Sequence, residues 1–117
     1  MLQRVTRFIE DNLGDPDLTP QAIADRHNIS LRSLHSLFSG RSLSVAAHIR
    51  ASRLERARED LERVELSGVP VQAIGARWGF SGPSVFSRTF RNAYGVAPAE
   101  HRAVTVRART GSGFEQS

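Results

Sequence analysis

The apolar positions of the chain recur at helical spacing, in short stretches broken by polar or glycine-containing turns. Over residues 2–13, Leu2, Val5, Phe8, Ile9 and Leu13 mark one face of a helix. Gly14 and the turn chemistry of Asp15-Pro16-Asp17 predict its end. Thr19-Pro20 predicts the next start, with Thr19 as N-cap and Pro20 at the first helical position. That helix continues through Ala22, Ile23, Ala24 and Arg26, and His27-Asn28 ends it. Asparagine tolerates the left-handed backbone that a tight turn needs. Ser30 predicts a further cap, followed by an apolar face of Leu31, Leu34, Leu37 and Phe38 and a stop at Gly40.

Ser44 has the place of a cap for the longest helix, running to about Val64. Its apolar positions are Val45, Ile49, Leu54, Ala57, Leu61 and Val64, and Glu55, Arg58, Glu59 and Glu62 form a mixed-charge face for solvent. Ser67-Gly68-Val69-Pro70 is a linker. Val71, Ile74, Ala76 and Trp78 then predict a short helix ended by Gly79. Ser81 is the expected cap of the next helix, whose apolar face is Val85, Phe86, Thr89 and Phe90 and whose end is Tyr94-Gly95. Ala97-Pro98 opens a final short helix through about Ala103. Thr105 to Ser117 has no periodicity and is expected to be a disordered tail. No stretch alternates as a strand, so the expected class is all-α.

Two stretches resemble each other. Ile23-Ala24-Asp25-Arg26-His27-Asn28-Ile29-Ser30, then Leu34 and Phe38, is matched by Ile74-Gly75-Ala76-Arg77-Trp78-Gly79-Phe80-Ser81, then Phe86 and Phe90. Each reads as a short helix, a tight turn, an apolar residue, a serine cap and a second helix, which is the helix-turn-helix layout. Ile29 and Phe80 are placed to pin the two helices at their angle. Trp78, Phe80, Phe86 and Phe90 read as core rather than as exposed stacking platforms.

Charge sharpens this picture. The 117 residues carry 16 cationic and 12 acidic side chains, a net charge of +4, and every cation is arginine. No acid falls between Asp25 and Glu55, a window with Arg26, Arg32, Arg41, Arg50 and Arg53. None falls between Glu65 and Glu100, a window with Arg77, Arg88 and Arg91. The second repeat, and the first from Arg26 onward, therefore lie in basic, acid-free windows, the electrostatic footprint of a polyanion binder. Arginine suits phosphate and the edge of guanine, although a GC-rich coding bias would enrich it equally. The chain has no cysteine, which excludes disulfides, cysteine-based zinc sites and thiol nucleophiles. It has neither a long apolar run for a membrane nor an apolar signal core at Met1-Leu2-Gln3-Arg4, so a cytoplasmic protein is expected.

These residues resemble the AraC/XylS family of transcription regulators from about Leu13 to Arg102. Arg53-Leu54-Glu55-Arg56-Ala57-Arg58 is similar to the start of the family signature on the linker helix. Ile74 to Ser81 is similar to its middle, and Phe86-Ser87-Arg88-Thr89-Phe90, Tyr94-Gly95 and Pro98 to its end. The resemblance implies a homeodomain-like fold of about seven helices. Its parts would be a first helix-turn-helix subdomain over 1–43, a linker helix over 44–65 and a second subdomain over 66–104, before the tail at 105–117. The sequence departs from the family where His48 and His101 replace a usual Tyr or Phe, and the segment after Phe38 is a residue short.

The function implied is sequence-specific binding of double-stranded DNA, both second helices entering successive major-groove segments, to regulate transcription. Activation is the commoner action in the family. By match to its pattern, Arg32, His35 and Ser36 face bases in the first unit, and Ser84 and Arg88 do so in the second. Ser87 would meet a base or a phosphate, and Pro83 a thymine methyl. Ser30, Ser44 and Ser81 stand at helix starts that suit phosphate, with Arg50, Arg41 and Arg91 as further backbone contacts. The expected partners are double-stranded DNA and RNA polymerase, with no membrane and no cofactor. The chain reads as the C-terminal domain of a longer effector-responsive regulator. It is expected to be monomeric alone, with any dimerisation left to a separate domain.

Two other classes compete. Catalysis has little support: His27, His35, His48 and His101 lack metal-ligand spacing, and Ser33 and His35 diverge on a helix. A glycine-rich phosphate loop is missing too. A small helical protein-interaction module without intrinsic sequence-specific DNA binding is the other alternative. Its binding would lack the steep salt dependence of phosphate contacts.

Overall fold

The computed structural model describes the backbone of residues 1–116 and the side chains of residues 1–108. Among the described residues every regular element is helical. The helices are α1 (Leu2–Asp11), α2 (Pro20–Arg26), α3 (Leu31–Leu37), α4 (Val45–Glu62), α5 (Val71–Arg77), α6 (Pro83–Tyr94) and α7 (Pro98–Gln116). One turn of 3-10 helix spans Val64–Leu66. The chain divides into two compact units, one reaching Arg53 and one beginning at Leu54, so α4 contributes to both. The all-α class and the seven helices agree with the sequence pattern.

In the first unit the caps act where the sequence places them. The Thr19 hydroxyl accepts from the Ala22 N–H at 3.1 Å, with Pro20 at the start of α2. The Ser30 hydroxyl accepts from the Ser33 N–H at 3.0 Å. Ser44 does the same for the Ala47 N–H at 3.2 Å, opening α4. Each bond satisfies one amide that a helix start otherwise leaves without a partner. Between α2 and α3, Asn28 takes the left-handed conformation with φ 55°, and the Ile29 N–H returns to the Ala24 carbonyl at 3.0 Å. The buried apolar side chains here include Val5, Ile9, Leu13, Ile23, Leu34, Phe38, Val45 and Ile49. Arg53 closes the unit from within: its Nε donates to the Leu13 carbonyl at 2.9 Å and its guanidinium to that of Asp15 at 2.7 Å. Burial lowers its pKa, partly offset by the Asp15 charge.

The second unit repeats the plan. Gly79 turns the chain with φ 87°, and the Phe80 N–H returns to the Gly75 carbonyl at 3.1 Å. Leu54, Ala57, Leu61, Ile74, Phe86 and Phe90 form one buried cluster, with Val69, Val71, Trp78, Phe80 and Tyr94 packed around it. Trp78 and Phe80 are thus half-buried margins of the core rather than its centre. Asp60, buried at 6% exposure, accepts from the Trp78 indole at 2.7 Å and from Arg77 at 3.1 Å. A buried carboxylate with two donors is held rather than stranded.

Several sequence expectations change. Val64 is 45% exposed, because α4 ends at Glu62 and the helical register that would have buried Val64 ends with it. Ala76 is exposed on α5. The face of Glu55, Arg58 and Glu62 is half-buried and paired rather than solvent-facing, since α6 and α7 bring Tyr94 and His101 against it. His48 and His101 keep an aromatic role, at 5.9 Å from the Phe38 ring and 5.7 Å from the Phe90 ring. The last helix runs past Ala103 to Gln116 instead of giving way to a disordered tail at 105, and the Thr105 hydroxyl donates back to the His101 carbonyl at 2.9 Å. Ser117 lies outside the described residues.

Gly75 lets α5 and α6 approach. A Cβ there would stand 2.5 Å from a Phe86 ring carbon, inside any permitted contact. Gly75→Ala is expected to lower the unfolding free energy by about 1–3 kcal/mol, the usual cost of overpacking, as read from urea denaturation.

Candidate nucleic-acid interface

The tight turn of each unit decides which face of its second helix is turned outward. In α3, Leu34 and Phe38 point into the core; in α6, Phe86 and Phe90 do. These are the fourth and eighth residues counted from each helix start, treating Phe38 as the cap that closes α3. The second, fifth and sixth residues are then Arg32, His35 and Ser36 in α3, and Ser84, Ser87 and Arg88 in α6. All six are exposed, and none makes a side-chain hydrogen bond or ion pair among the described residues. Pro83, the first residue of α6, is exposed as well.

One expected cap moves. Pro83 takes the first helical position of α6, so the N-cap is Gly82, with extended backbone and no side-chain cap. Ser81 is an exposed extra residue between the turn and the cap. The structural counterpart of Ser30 is therefore Gly82, and the reason given for Ser81 at a helix start does not hold. Ser30 and Ser44 remain caps, their hydroxyls already engaged. Arg50 and Arg91 are exposed without an ion pair among the described residues. Arg41 is exposed and stands 5.6 Å over the Phe38 ring. Two other arginines of the acid-free windows are internal ties: Arg53 on α1's end and Arg77 on Asp60.

Two residues that the apolar pattern assigns inward are exposed. Leu31 and Val85, in the first turns of α3 and α6, are 36% and 37% exposed. Val85 adjoins Ser84 and lies about 100° around the helix from Phe86. It adds an apolar surface beside the polar set. Ser84, Ser87, Arg88, Arg91, Asn92 and Ala97 line a shallow open depression of about 470 Å³. Asn92 joins the set through this groove; it lies one helical turn beyond Arg88.

The α6 helix is anchored at its far end. The Tyr94 hydroxyl donates to Glu55 at 3.3 Å, and Arg58 donates to the other Glu55 oxygen at 2.6 Å. Arg58 also stands 5.3 Å over the Tyr94 ring. The Arg58 hydrogen bond holds the Glu55 carboxyl below its ordinary range, and burial raises the Tyr94 pKa. His101 adds a 2.9 Å contact to Glu62. Among the described residues no cluster of His, Asp or Glu could hold a metal ion, and no helix is long and apolar enough to cross a membrane.

Two helix-turn-helix units with exposed, unpaired second helices define a class of nucleic-acid-binding domain. Residues 23–103 match the family described as a helix-turn-helix domain, and the chain belongs to the AraC/XylS family of such regulators. It is 40% identical over 111 residues to the transcriptional activator NphR of Rhodococcus, covering 95% of this chain and 32% of that protein. The chain thus spans about a third of this relative's length. Its structure is similar to an AraC-type regulator from Chromobacterium violaceum, at TM-score 0.79, 30% identity, and 91% and 92% coverage of the two chains. It is equally similar to the DNA-binding domain of the global transcriptional factor AdpA, solved with a target DNA. There the TM-score is 0.80 at 26% identity, with 92% and 94% covered. The family is one of regulators rather than of enzymes.

Because its pKa is depressed in the folded state, Glu55 stabilises the fold above the ordinary carboxylate range. That stability is lost as pH falls through the folded value. Its side chain is 46% exposed, so solvent screening keeps the effect below about 1 kcal/mol. Glu55→Gln should lower stability at neutral pH by that order. The gap to wild type should close as pH falls below the ordinary carboxylate range and through the depressed folded-state value, as followed by thermal melts across pH.

Proposed function

We propose that the chain binds double-stranded DNA sequence-specifically through both helix-turn-helix units, α3 and α6 each entering a major-groove segment. The observation that carries this is the recurrence of one outward set at equivalent places in two helices: Arg32, His35 and Ser36, then Ser84, Ser87 and Arg88. Arginine donates two bonds to guanine, and serine and histidine serve several bases. Pro83 and Val85 supply apolar contact for a thymine methyl. Arg50, Arg41 and Arg91 meet phosphates, as do Ser30 and Ser44 at their helix starts. Ser81 keeps only its exposed hydroxyl for a phosphate. The binding serves transcription in the cytoplasm, as activation, in keeping with NphR being a transcriptional activator. The chain acts as the DNA-binding part of a longer regulator that touches RNA polymerase, and by itself it is a monomer on a bipartite site.

Selection of duplexes from a random pool tests the reading directly. Two enriched motifs about one helical turn apart, roughly 10 base pairs, are expected. An absence of DNA binding at low salt would sink it and favour a protein-interaction module. Arg32→Ala and Arg88→Ala should each cost about 1–3 kcal/mol and relax preference at one base position, read by competition binding. Arg50→Ala should weaken all duplexes alike and reduce the slope of log affinity on log salt by about one unit. An unchanged slope removes Arg50 from the backbone contacts.

A further inference from the structure

The first unit carries a second basic surface away from α3. It is a shallow depression of about 470 Å³ built by one face of α1 and the end of α2, where Arg4, Arg7 and Arg26 surround Phe8 and His27. No residue of α3 lines it, and within the unit α1 packs on α2 while α2 packs on α3. The three arginines are exposed and make no ion pair among the described residues. Asp11 is the single acid in the lining, so cationic charge is left over.

The floor is ordered. The Phe8 and His27 rings meet edge to face at 5.3 Å, and the Arg26 guanidinium stands 5.8 Å over Phe8. The His27 Nδ1 lies 2.8 Å from the Ile23 carbonyl. A carbonyl can only accept, so Nδ1 carries the proton and the ring orientation is set. An aromatic floor under Arg26, in a depression that Arg4 and Arg7 also line, offers apolar contact and anion recognition together.

We propose that this surface docks an acidic segment of a partner protein, its Asp and Glu carboxylates on Arg4, Arg7 and Arg26 and an apolar side chain on Phe8. Charge complementarity and the half-apolar floor select such a segment over a bare polyphosphate backbone, which would leave Phe8 unused. DNA reaches this chain through α3 and α6 in the reading above, but the docking surface does not depend on that reading.

The test uses a short fluorescein-labelled peptide of alternating Asp or Glu with Leu and Phe, read by fluorescence polarisation. A second peptide keeps Leu and Phe and replaces the acids by Lys. Wild type is expected to bind the acidic peptide and not the lysine one. Arg4→Ser, Arg7→Ser and Arg26→Ser together should weaken the acidic peptide about tenfold, since exposed ion pairs contribute a few-fold each. Affinity for a random-sequence duplex, read at salt that screens charges beyond about 8 Å, should stay unchanged. Equal binding of both peptides, or no loss in the triple variant, overturns the proposal. A parallel loss of duplex affinity also overturns it and makes the patch a phosphate surface. Should the triple variant melt early, the single exposed change Arg7→Glu carries the same comparison.

Discussion

Each unit depends on one backbone constraint: between its two short helices the chain must reverse within a few residues. A single left-handed residue does this, Asn28 in one unit and Gly79 in the other. The next N–H then closes on a carbonyl of the first helix, from Ile29 to Ala24 and from Phe80 to Gly75. Most side chains resist that conformation, and asparagine and glycine accept it at little cost. With the turn set, Leu34 and Phe38, or Phe86 and Phe90, can enter the core only if the opposite face of α3 or α6 is left outside. Burial of each such side chain is worth about 1.5–3 kcal/mol, so the core decides the face and the outward residues follow.

The two units secure that geometry by different means. The first relies on hydroxyl caps at Thr19, Ser30 and Ser44 and on Arg53 across the end of α1. The second has no side-chain cap on α5 or α6 and uses tertiary polar ties instead. Asp60 gathers Trp78 and Arg77, while Glu55 gathers Tyr94 and Arg58. These ties explain how a mixed-charge stretch of α4 becomes internal without stranding its charges. They also divide the arginines by role. Arg53, Arg58 and Arg77 hold the fold, and Arg32, Arg50, Arg88 and Arg91 are exposed without an ion pair among the described residues.

Much of the candidate interface was legible in the residues because it depends on local chemistry. Thr19-Pro20, Asn28, Ser30, Gly79 and Gly95 each encode a helix boundary within a few positions, and the observed boundaries agree. Once the boundaries and the 3.6-residue period are known, Arg32, His35, Ser36, Ser84, Ser87 and Arg88 fall outside the core by arithmetic. The same arithmetic failed at Ser81 and Val85. Two capping signals competed there, and the proline at 83 won by taking the first helical position. Phe86 and Phe90 keep the inward face, and Val85, about 100° from Phe86, falls at its exposed edge.

The amino-acid order alone therefore determined the all-α class, the two repeated units, the turn residues and the basic windows, since each arises from short-range preference or from charge count. Only the tertiary structure decided which charges are used internally. Glu55, Asp60 and Glu62 lie on α4, yet their partners Tyr94, Trp78 and His101 arrive from later helices. It also assembled the surface of Arg4, Arg7 and Arg26, which the sequence leaves in separate segments and the packing of α1 on α2 brings together. Periodicity describes one helix at a time, and contacts between helices depend on side-chain shapes that no single period contains.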